Sequence, residues 1–161
     1  MRLSSRPLIH ISLKNIQHNF AIYKELASPA ECTAVIKNNA YGLGAKKVAS
    51  ALWEAGCRIF WVSYAQEGKE IREILPEAEI ISIMGPAPDC MHYIMKYDIV
   101  PVISTIEQAA FWESHTSDAT FINPVIQLDT GMNRLGLRQS DLEEMLQRHV
   151  SLLSRGPRMI I

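Results

Sequence analysis

The chain has 161 residues, of which 48% are apolar and 20% are charged, and its formal net charge is -1. This composition is typical of a globular protein that is long enough to bury a core. A net charge near zero, without a basic run, argues against a nucleic-acid-binding face, and the apolar runs are too short to cross a bilayer. We therefore expect a cytoplasmic protein that binds neither nucleic acid nor membrane.

The cysteines and histidines show no spacing that is typical of metal ligands. Cys32, Cys57 and Cys90 form no CxxC pair and have apolar neighbours. Small apolar surroundings are usual for reduced cysteines in a core. We therefore expect neither a metal site nor a reactive thiol.

Strands and helices alternate along the first third of the chain. The pattern predicts a first strand over 8–12 and a helix over 13–27 that Ser12 caps. A buried strand over 32–36 then runs into a glycine-rich turn. The helix behind this turn is expected to end at Gly56, because glycine readily adopts the left-handed conformation that ends helices.

The same cycle repeats along the rest of the chain. Further strands are predicted over 58–63, 79–84, 99–103, 124–128 and 157–161. The caps expected for the helices between them are Asp89, Ser104 with Glu107, and Ser140 with Glu143. The last helix is expected to run from 141 to about 153.

Apolar strands that are each followed by a helix predict a parallel sheet covered by helices, and so the α/β class. No GxGxxG or GxxxxGK[ST] pattern follows the early strands, which disfavours a nucleotide-binding sheet. The sequence therefore predicts a (β/α) TIM-type barrel. A complete barrel takes about 250 residues, whereas this chain supplies about five βα units and a sixth strand. We expect an incomplete barrel, the N-terminal part of a longer protein.

The first loop whose side chains could take part in catalysis is "KNNAYGLG", directly after the strand over 32–36. Lys37 ends that strand, at the edge where barrels place catalytic groups. A lysine amine can attack a carbonyl to form a Schiff base when burial or nearby charge favours its neutral form. Gly42 and Gly44 would let the backbone approach a bound group, and Tyr41 could donate its hydroxyl to a phosphate oxygen. The plain alternative is a solvated lysine.

The second loop is "QLDTGMNRLGL", residues 127–137. Asp129 favours a local turn in which its side chain accepts backbone N–H groups. Arg134 can bind a carboxylate in bidentate fashion, or hold a phenolate oxygen, and it stays charged. The plain alternative is an arginine that is solvated or paired with Asp129.

Both loops resemble the signatures of one family. "AVIKNNAYGLG" (34–44) resembles the pyridoxal-phosphate lysine motif of alanine racemases, and "DTGMNRLG" (129–136) resembles their second signature. "IHISLKNIQHN" (9–19) resembles the opening strand and helix of the same family. The similarity runs over essentially the whole chain, in the same order.

The resemblance implies a role for each of the three residues. Lys37 would hold pyridoxal 5'-phosphate as an internal aldimine and act as the base on D-alanine in the interconversion of L- and D-alanine. Tyr41 would contact the cofactor phosphate. Arg134 would lie near the phenolic oxygen of the cofactor and bind the substrate carboxylate. The family role leaves open whether the D-alanine serves cell-wall synthesis or the reaction serves catabolism.

The chain departs from the family at two positions. Many members carry a carbamylated lysine where this chain has Gln127, and a histidine where it has Leu43. A carbamate is anionic and can orient an arginine, whereas glutamine offers only a neutral oxygen. We therefore expect Arg134 to be oriented less tightly than in those members.

The resemblance also implies what lies beyond this sequence. In the family, a tyrosine from a C-terminal β-domain acts on the opposite face of the substrate, across a homodimer interface. Residues 1–161 would be the N-terminal part of the barrel domain, without that β-domain. Because racemisation needs a proton donor on each face, the 161-residue chain is expected to be inactive alone.

Three alternatives remain open at this stage. A broad-specificity amino-acid racemase on the same scaffold would share both loops. A non-catalytic pyridoxal-phosphate-binding protein, or a truncated remnant, would keep the motifs without turnover. A Schiff-base aldolase barrel would explain Lys37 but would give the second loop no role.

Overall fold

A computed structural model describes residues 8–161 and contains one parallel sheet of six strands in chain order. The strands are β1 (Ala34–Val35), β2 (Ile59–Val62), β3 (Glu79–Ser82), β4 (Val100–Ile103), β5 (Val125–Ile126) and β6 (Met159–Ile160). The helices are α1 (Leu13–Ala27), α2 (Lys37–Tyr41), α3 (Ala45–Glu54), α4 (Ala65–Arg72), α5 (Met91–Tyr97), α6 (Ile106–His115), α7 (Gln139–Arg148) and α8 (Val150–Ser154). Parallel strands in chain order with helices between them form an incomplete α/β TIM-type barrel, as the sequence predicts.

The four central strands, β2 to β5, bury both of their faces, whereas Val35 of β1 and Ile160 of β6 are exposed at the two edges of the sheet. On the outer face, Phe60, Ile80 and Ile126 are buried in a layer that also contains helix residues. On the inner face, Ile81 and Val102 belong to a second buried layer. Burying a large apolar side chain stabilises a fold by about 1.5–3 kcal/mol, so both layers favour apolar residues. Polar side chains are consequently concentrated at the ends of the strands.

The first predicted strand, over 8–12, is wrong. Among residues 8–161 these residues have no strand partner, and the described sheet begins at β1 instead. Leu8 and Ile9 are 65% and 86% exposed. Ile9 and Ile11 line a cleft beside the start of α3. Alternating apolar residues fit an extended segment as well as a strand, and only a free neighbouring edge distinguishes the two.

The predicted helix starts are partly wrong. Ser12 caps α1 as expected, with its Oγ 3.3 Å from the backbone N of Asn15. The residue that caps α5 is Cys90, without a side-chain bond, rather than Asp89. Thr105 caps α6 in place of Ser104, because Ser104 is still buried at the end of β4. A cap is fixed by where the backbone turns, and the spacing of polar residues does not reveal that point.

The last predicted helix also differs from the structure. Its first turn is closed by Asp141, whose carboxylate accepts the backbone N–H of Arg138 at 3.0 Å, and not by Ser140 with Glu143. The helix then breaks at His149, where the backbone leaves the helical region, and α8 follows as a separate turn. The spacing of apolar residues is continuous across 141–153, so it does not reveal the helix break at His149.

Arg72, at the end of α4, ties three segments together through their backbone carbonyls. Its guanidinium donates to Tyr97 and Asp98, at the end of α5, at 2.9 and 2.8 Å. It also donates to Pro76 and Ala78, in the connection to β3, at 2.8 and 2.6 Å. These are carbonyls that helix and strand ends leave without a partner. A planar fork with five donors can serve all of them at once.

We predict that Arg72→Lys lowers the free energy of unfolding by about 2 kcal/mol. Lysine keeps the charge but loses the fork, so carbonyls around it are left without a donor. Urea denaturation measures the difference. The matched control is Lys69→Arg, a reverse exchange on the same helix at a side chain that is 40% exposed, which should stay within about 0.5 kcal/mol of the wild type. Equal stability of the two variants would contradict the assignment.

The cysteines behave as the sequence predicts. Cys57 and Cys90 are buried, Cys32 is partly buried, and all three are free thiols. Burial raises the pKa of the Cys57 thiol to about 11, so it stays protonated at neutral pH. Among residues 8–161, no helix is both long and apolar enough to cross a membrane. Within the same range, no cluster of His, Cys, Asp and Glu could hold a metal ion.

Candidate active site

The residues that follow the strands gather at one edge of the sheet, because parallel strands end on the same side. Lys37 follows β1 and Ser63 follows β2, while Ser104 follows β4 and Gln127 follows β5. This edge therefore collects an amine, two hydroxyls and an amide at the mouth of the barrel.

Lys37 is half-buried at the end of the sheet ladder. The residue before it, Ile36, is held in the ladder by its N–H, which donates to the carbonyl of Trp61 at 2.8 Å. Within residues 8–161, Lys37 forms no ion pair. Its backbone is thus anchored while its amine has no fixed partner in this part of the chain, as a nucleophilic lysine requires.

The segment after Lys37 is a left-handed turn. Asn38, Asn39, Ala40 and Tyr41 all have φ between 52° and 55°. Such a conformation costs an L-residue about 1–2 kcal/mol, although asparagine tolerates it better than alanine or tyrosine. Consecutive residues in this region persist only when the surrounding structure holds them. The turn is therefore strained, and it directly follows the candidate nucleophile.

Hydrogen bonds from outside the turn offset this strain. Glu67 accepts the N–H of Asn38 at 2.6 Å with one carboxylate oxygen, and the N–H of Ser63 at 2.7 Å with the other. The side chain of Asn39 accepts the N–H of Ala45 at 2.8 Å, at the start of α3. Bonds to a charged group contribute about 1.5–3 kcal/mol each. The hydrogen bond from Asn38 to Glu67 is thus large enough to offset the conformational strain of one or two residues of the turn.

The two glycines of the loop are required by the backbone rather than by a close neighbour. Gly42 and Gly44 have φ of 86° and 96°, and a Cβ added to either would meet nothing within 4 Å. The positive φ alone explains why both residues are glycine. Close approach of a bound group to this loop stays a prediction.

Tyr41 ends the left-handed turn and is 62% exposed. Within residues 8–161, no protein group lies within hydrogen-bonding distance of its hydroxyl. The hydroxyl is thus available to a ligand or to solvent.

The second loop is shaped by Asp129, as the sequence predicts. Its carboxylate accepts the N–H groups of Gly131 and Asn133, each at 3.0 Å. These bonds, with Asn133 first, lower the pKa of the Asp129 carboxyl below its usual range. Gly136 packs so tightly that an added Cβ would lie 2.6 Å from the backbone N of Asp129. The loop is therefore a fixed turn.

Arg134 is exposed on this loop and is not paired with Asp129. One oxygen of the Asp129 carboxylate accepts both backbone N–H groups, and among the described residues no salt bridge joins Asp129 to Arg134. Arg134 lines a cleft of about 610 Å³ together with Ser104 and Asp129. The structure therefore does not show an ion pair between Arg134 and Asp129. Binding of a ligand and simple solvation of Arg134 both stay open.

Gln127 binds Ser104 and not Arg134 in the described structure. Its side-chain oxygen accepts the hydroxyl of Ser104 at 3.1 Å, so it links β5 to β4. No bond joins it to Arg134 among the described residues. The orientation of Arg134 thus depends on the loop backbone.

The structure does not bring the three predicted site residues into one cleft. Arg134 borders the cleft beside β4 and β5, while the turn after Lys37 borders another cleft of about 640 Å³ through Asn39, Gly42 and Gly44. Lys37 and Tyr41 line neither of them. The two loops follow β1 and β5, which are four places apart in the six-stranded sheet.

Known proteins carry the same fold and sequence pattern. The model of the alanine racemase N-terminal domain family matches residues 11–156. The chain belongs to this family. An alanine racemase from Brucella suis is 34% identical over 155 residues, which make up 95% of this chain and 39% of that protein. The chain thus spans about two fifths of the length of the curated relatives that it matches.

Solved alanine racemases superimpose on this family member. The enzyme from Bartonella henselae, whose crystal structure holds covalently bound pyridoxal phosphate, gives a TM-score of 0.85 at 30% identity. The alignment covers 93% of this chain and 44% of that one. The biosynthetic enzyme from Pseudomonas aeruginosa gives 0.80 at 31% identity, covering 92% and 40%. The fold of this alanine racemase family member is therefore that of its relatives.

Sequence reasoning missed Glu67, the residue that holds the turn of this family member. Glutamate three residues into a helix after serine or threonine is a known capping signal. Here the residue before α4 is Tyr64, which hides the signal. A glutamate four residues after Ser63, the first residue past β2, is the pattern that would have found it.

We predict that the second loop stays ordered below the pH at which ordinary aspartates protonate. The folded-state pKa of Asp129 is lowered, so its stabilising contribution is present above the usual value of 3.8 and is lost only as pH falls through the lower, folded-state value. NMR shifts of the Gly131 and Asn133 amides against pH report the midpoint. Asp129→Asn should remove the transition, and a wild-type midpoint at or above 3.8 would contradict the prediction.

Proposed function

We propose that residues 1–161 are the N-terminal part of the barrel domain of a pyridoxal-phosphate-dependent alanine racemase, a cytoplasmic isomerase. The observation that carries the proposal is Lys37 at the carboxyl end of β1, on a turn held from outside. Its amine has no ion pair within residues 8–161. Family membership supports the same assignment. In this proposal the remaining part of the protein supplies a C-terminal β-domain and a homodimer interface.

The residues at the mouth fit the chemical groups of pyridoxal 5'-phosphate. A primary amine suits its aldehyde, a phenol hydroxyl suits a phosphate oxygen, and a guanidinium suits a phenolate or carboxylate oxygen. Lys37, Tyr41 and Arg134 supply these groups, and each is free of ion pairs within residues 8–161. The open space around Gly42 and Gly44 leaves the first loop uncovered.

Each residue has a distinct task in the reaction. When bound, pyridoxal phosphate delocalises the negative charge that forms at the substrate α-carbon. The Lys37 Nζ would hold the cofactor covalently and, once free, would remove or return the α-proton on one face. Arg134 would bind the alanine carboxylate or the phenolic oxygen. Tyr41 would donate its hydroxyl to the phosphate.

We predict that borohydride reduction of the purified chain, after incubation with pyridoxal 5'-phosphate, fixes a pyridoxyl group on Lys37. Only a covalent carbon–nitrogen double bond is trapped in this way, and peptide mass mapping locates it. Lys37→Arg should abolish the label, while the matched variant Lys47→Arg, on the exposed start of α3, should keep it. A label spread evenly over exposed lysines, or no label on folded protein, would overturn the proposal.

A second prediction concerns turnover by the chain alone. Lys37 serves one face of the substrate, and racemisation needs a proton donor on the other face as well. We therefore expect no interconversion of L- and D-alanine by the 161-residue chain with pyridoxal phosphate, as measured by chiral chromatography. The Lys37→Ala variant, purified in parallel, reveals any racemase carried over from the expression host. Racemisation above that background would show that a second base lies within the chain.

A further inference from the structure

Two helices at the mouth of the barrel begin with the same arrangement. The third residue of α4 is Glu67, and the third residue of α6 is Gln108. Each side chain accepts the backbone N–H of the serine that follows the preceding strand. Glu67 Oε2 lies 2.7 Å from the nitrogen of Ser63, and Gln108 Oε1 lies 2.8 Å from that of Ser104.

The other end of each side chain reaches the neighbouring strand. Glu67 Oε1 accepts the N–H of Asn38, after β1, at 2.6 Å. Gln108 Nε2 instead donates to the carbonyl of Met84, after β3, at 2.8 Å. A carboxylate offers two acceptors, whereas an amide offers one acceptor and one donor. Each side chain therefore matches its own pair of partners, and the two are not interchangeable.

The group that Glu67 binds is adjacent to Lys37. The N–H of Asn38 belongs to the peptide that joins it to Lys37, and Asn38 is the first residue of the left-handed turn. Among residues 8–161, Glu67 is the acceptor that this N–H has. The same carboxylate is fixed on α4 and at the end of β2, so it ties the Lys37 peptide to two rigid elements.

We propose that Glu67 is a positioning residue for Lys37: its carboxylate fixes the Lys37–Asn38 peptide and thereby the direction from which the amine enters the mouth of the barrel. The inference rests on the proposed function, since it concerns the lysine that the cofactor occupies. It adds a residue outside both sequence signatures and explains why this position carries a carboxylate while its counterpart on α6 carries an amide.

The test is Glu67→Gln, which keeps the shape of the side chain but replaces one of its two acceptor oxygens with a donor. That donor would face either the N–H of Asn38 or the N–H groups of Ser63 and Tyr64. The matched control is Glu70→Gln, which removes the same charge from the exposed face of the same helix. One readout is backbone hydrogen exchange at Asn38, measured without any cofactor. The other is the ratio of pyridoxyl label on Lys37 to that on Lys47 after incubation with pyridoxal 5'-phosphate and reduction.

We expect Glu67→Gln to speed exchange at Asn38 and to lower the label ratio about tenfold, because small misplacement of a reacting group is costly. Glu70→Gln should change neither, and thermal melting followed by circular dichroism checks that both variants fold. Glu67→Asp keeps the charge but is one methylene shorter, so it should lower the ratio as well. A wild-type ratio in Glu67→Asp would show a purely electrostatic role and overturn the proposal.

The remaining outcomes separate the two proposals. An unchanged ratio in Glu67→Gln overturns the positioning role, whatever the amide exchange shows. A lower ratio with unchanged exchange at Asn38 overturns it too, because the effect would not pass through the turn. A wild-type chain that takes no label on Lys37 overturns the proposed function itself and, with it, the role of Glu67 there.

Discussion

The architecture depends on the fact that the four central strands, β2 to β5, bury both of their faces. Ile81 and Val102 fill the inner layer of the sheet, while Phe60 and Ile126 lie in the outer layer. Side chains that carry charge or hydrogen bonds have no room along such strands. They are confined to the ends, and parallel strands bring those ends to one side. The chemistry at the mouth is thus a consequence of how the core is packed.

Much of this arrangement can be predicted from the sequence. Continuous apolar strands followed by helices indicate the sheet, and the position of Lys37 at the end of one of them indicates the functional edge. The segment over 8–12 shows the limit of such reasoning. Its residues alternate as in a strand, but it pairs with no strand among the described residues. Pairing depends on a neighbouring edge, and a sequence pattern contains no information about what lies beside it.

The site shows a similar limit. The turn at Asp129 follows from local chemistry, since a short side chain bonds N–H groups two and four residues ahead. The bond from Glu67 to Asn38 spans 29 residues, and no local rule predicts it. The two chain segments meet only because β1 and β2 are neighbours in the sheet. Long-range bonds of this kind become visible only when the topology is known.

In the second loop, the residues that hold the backbone are different from the residue that carries the positive charge. The backbone of the loop is held by the Asp129 carboxylate and by the tight packing of Gly136, and Arg134 takes no part in either. Shape and charge are therefore encoded at separate positions. A substitution at position 134 would therefore change the charge at the mouth without removing a bond that holds the loop.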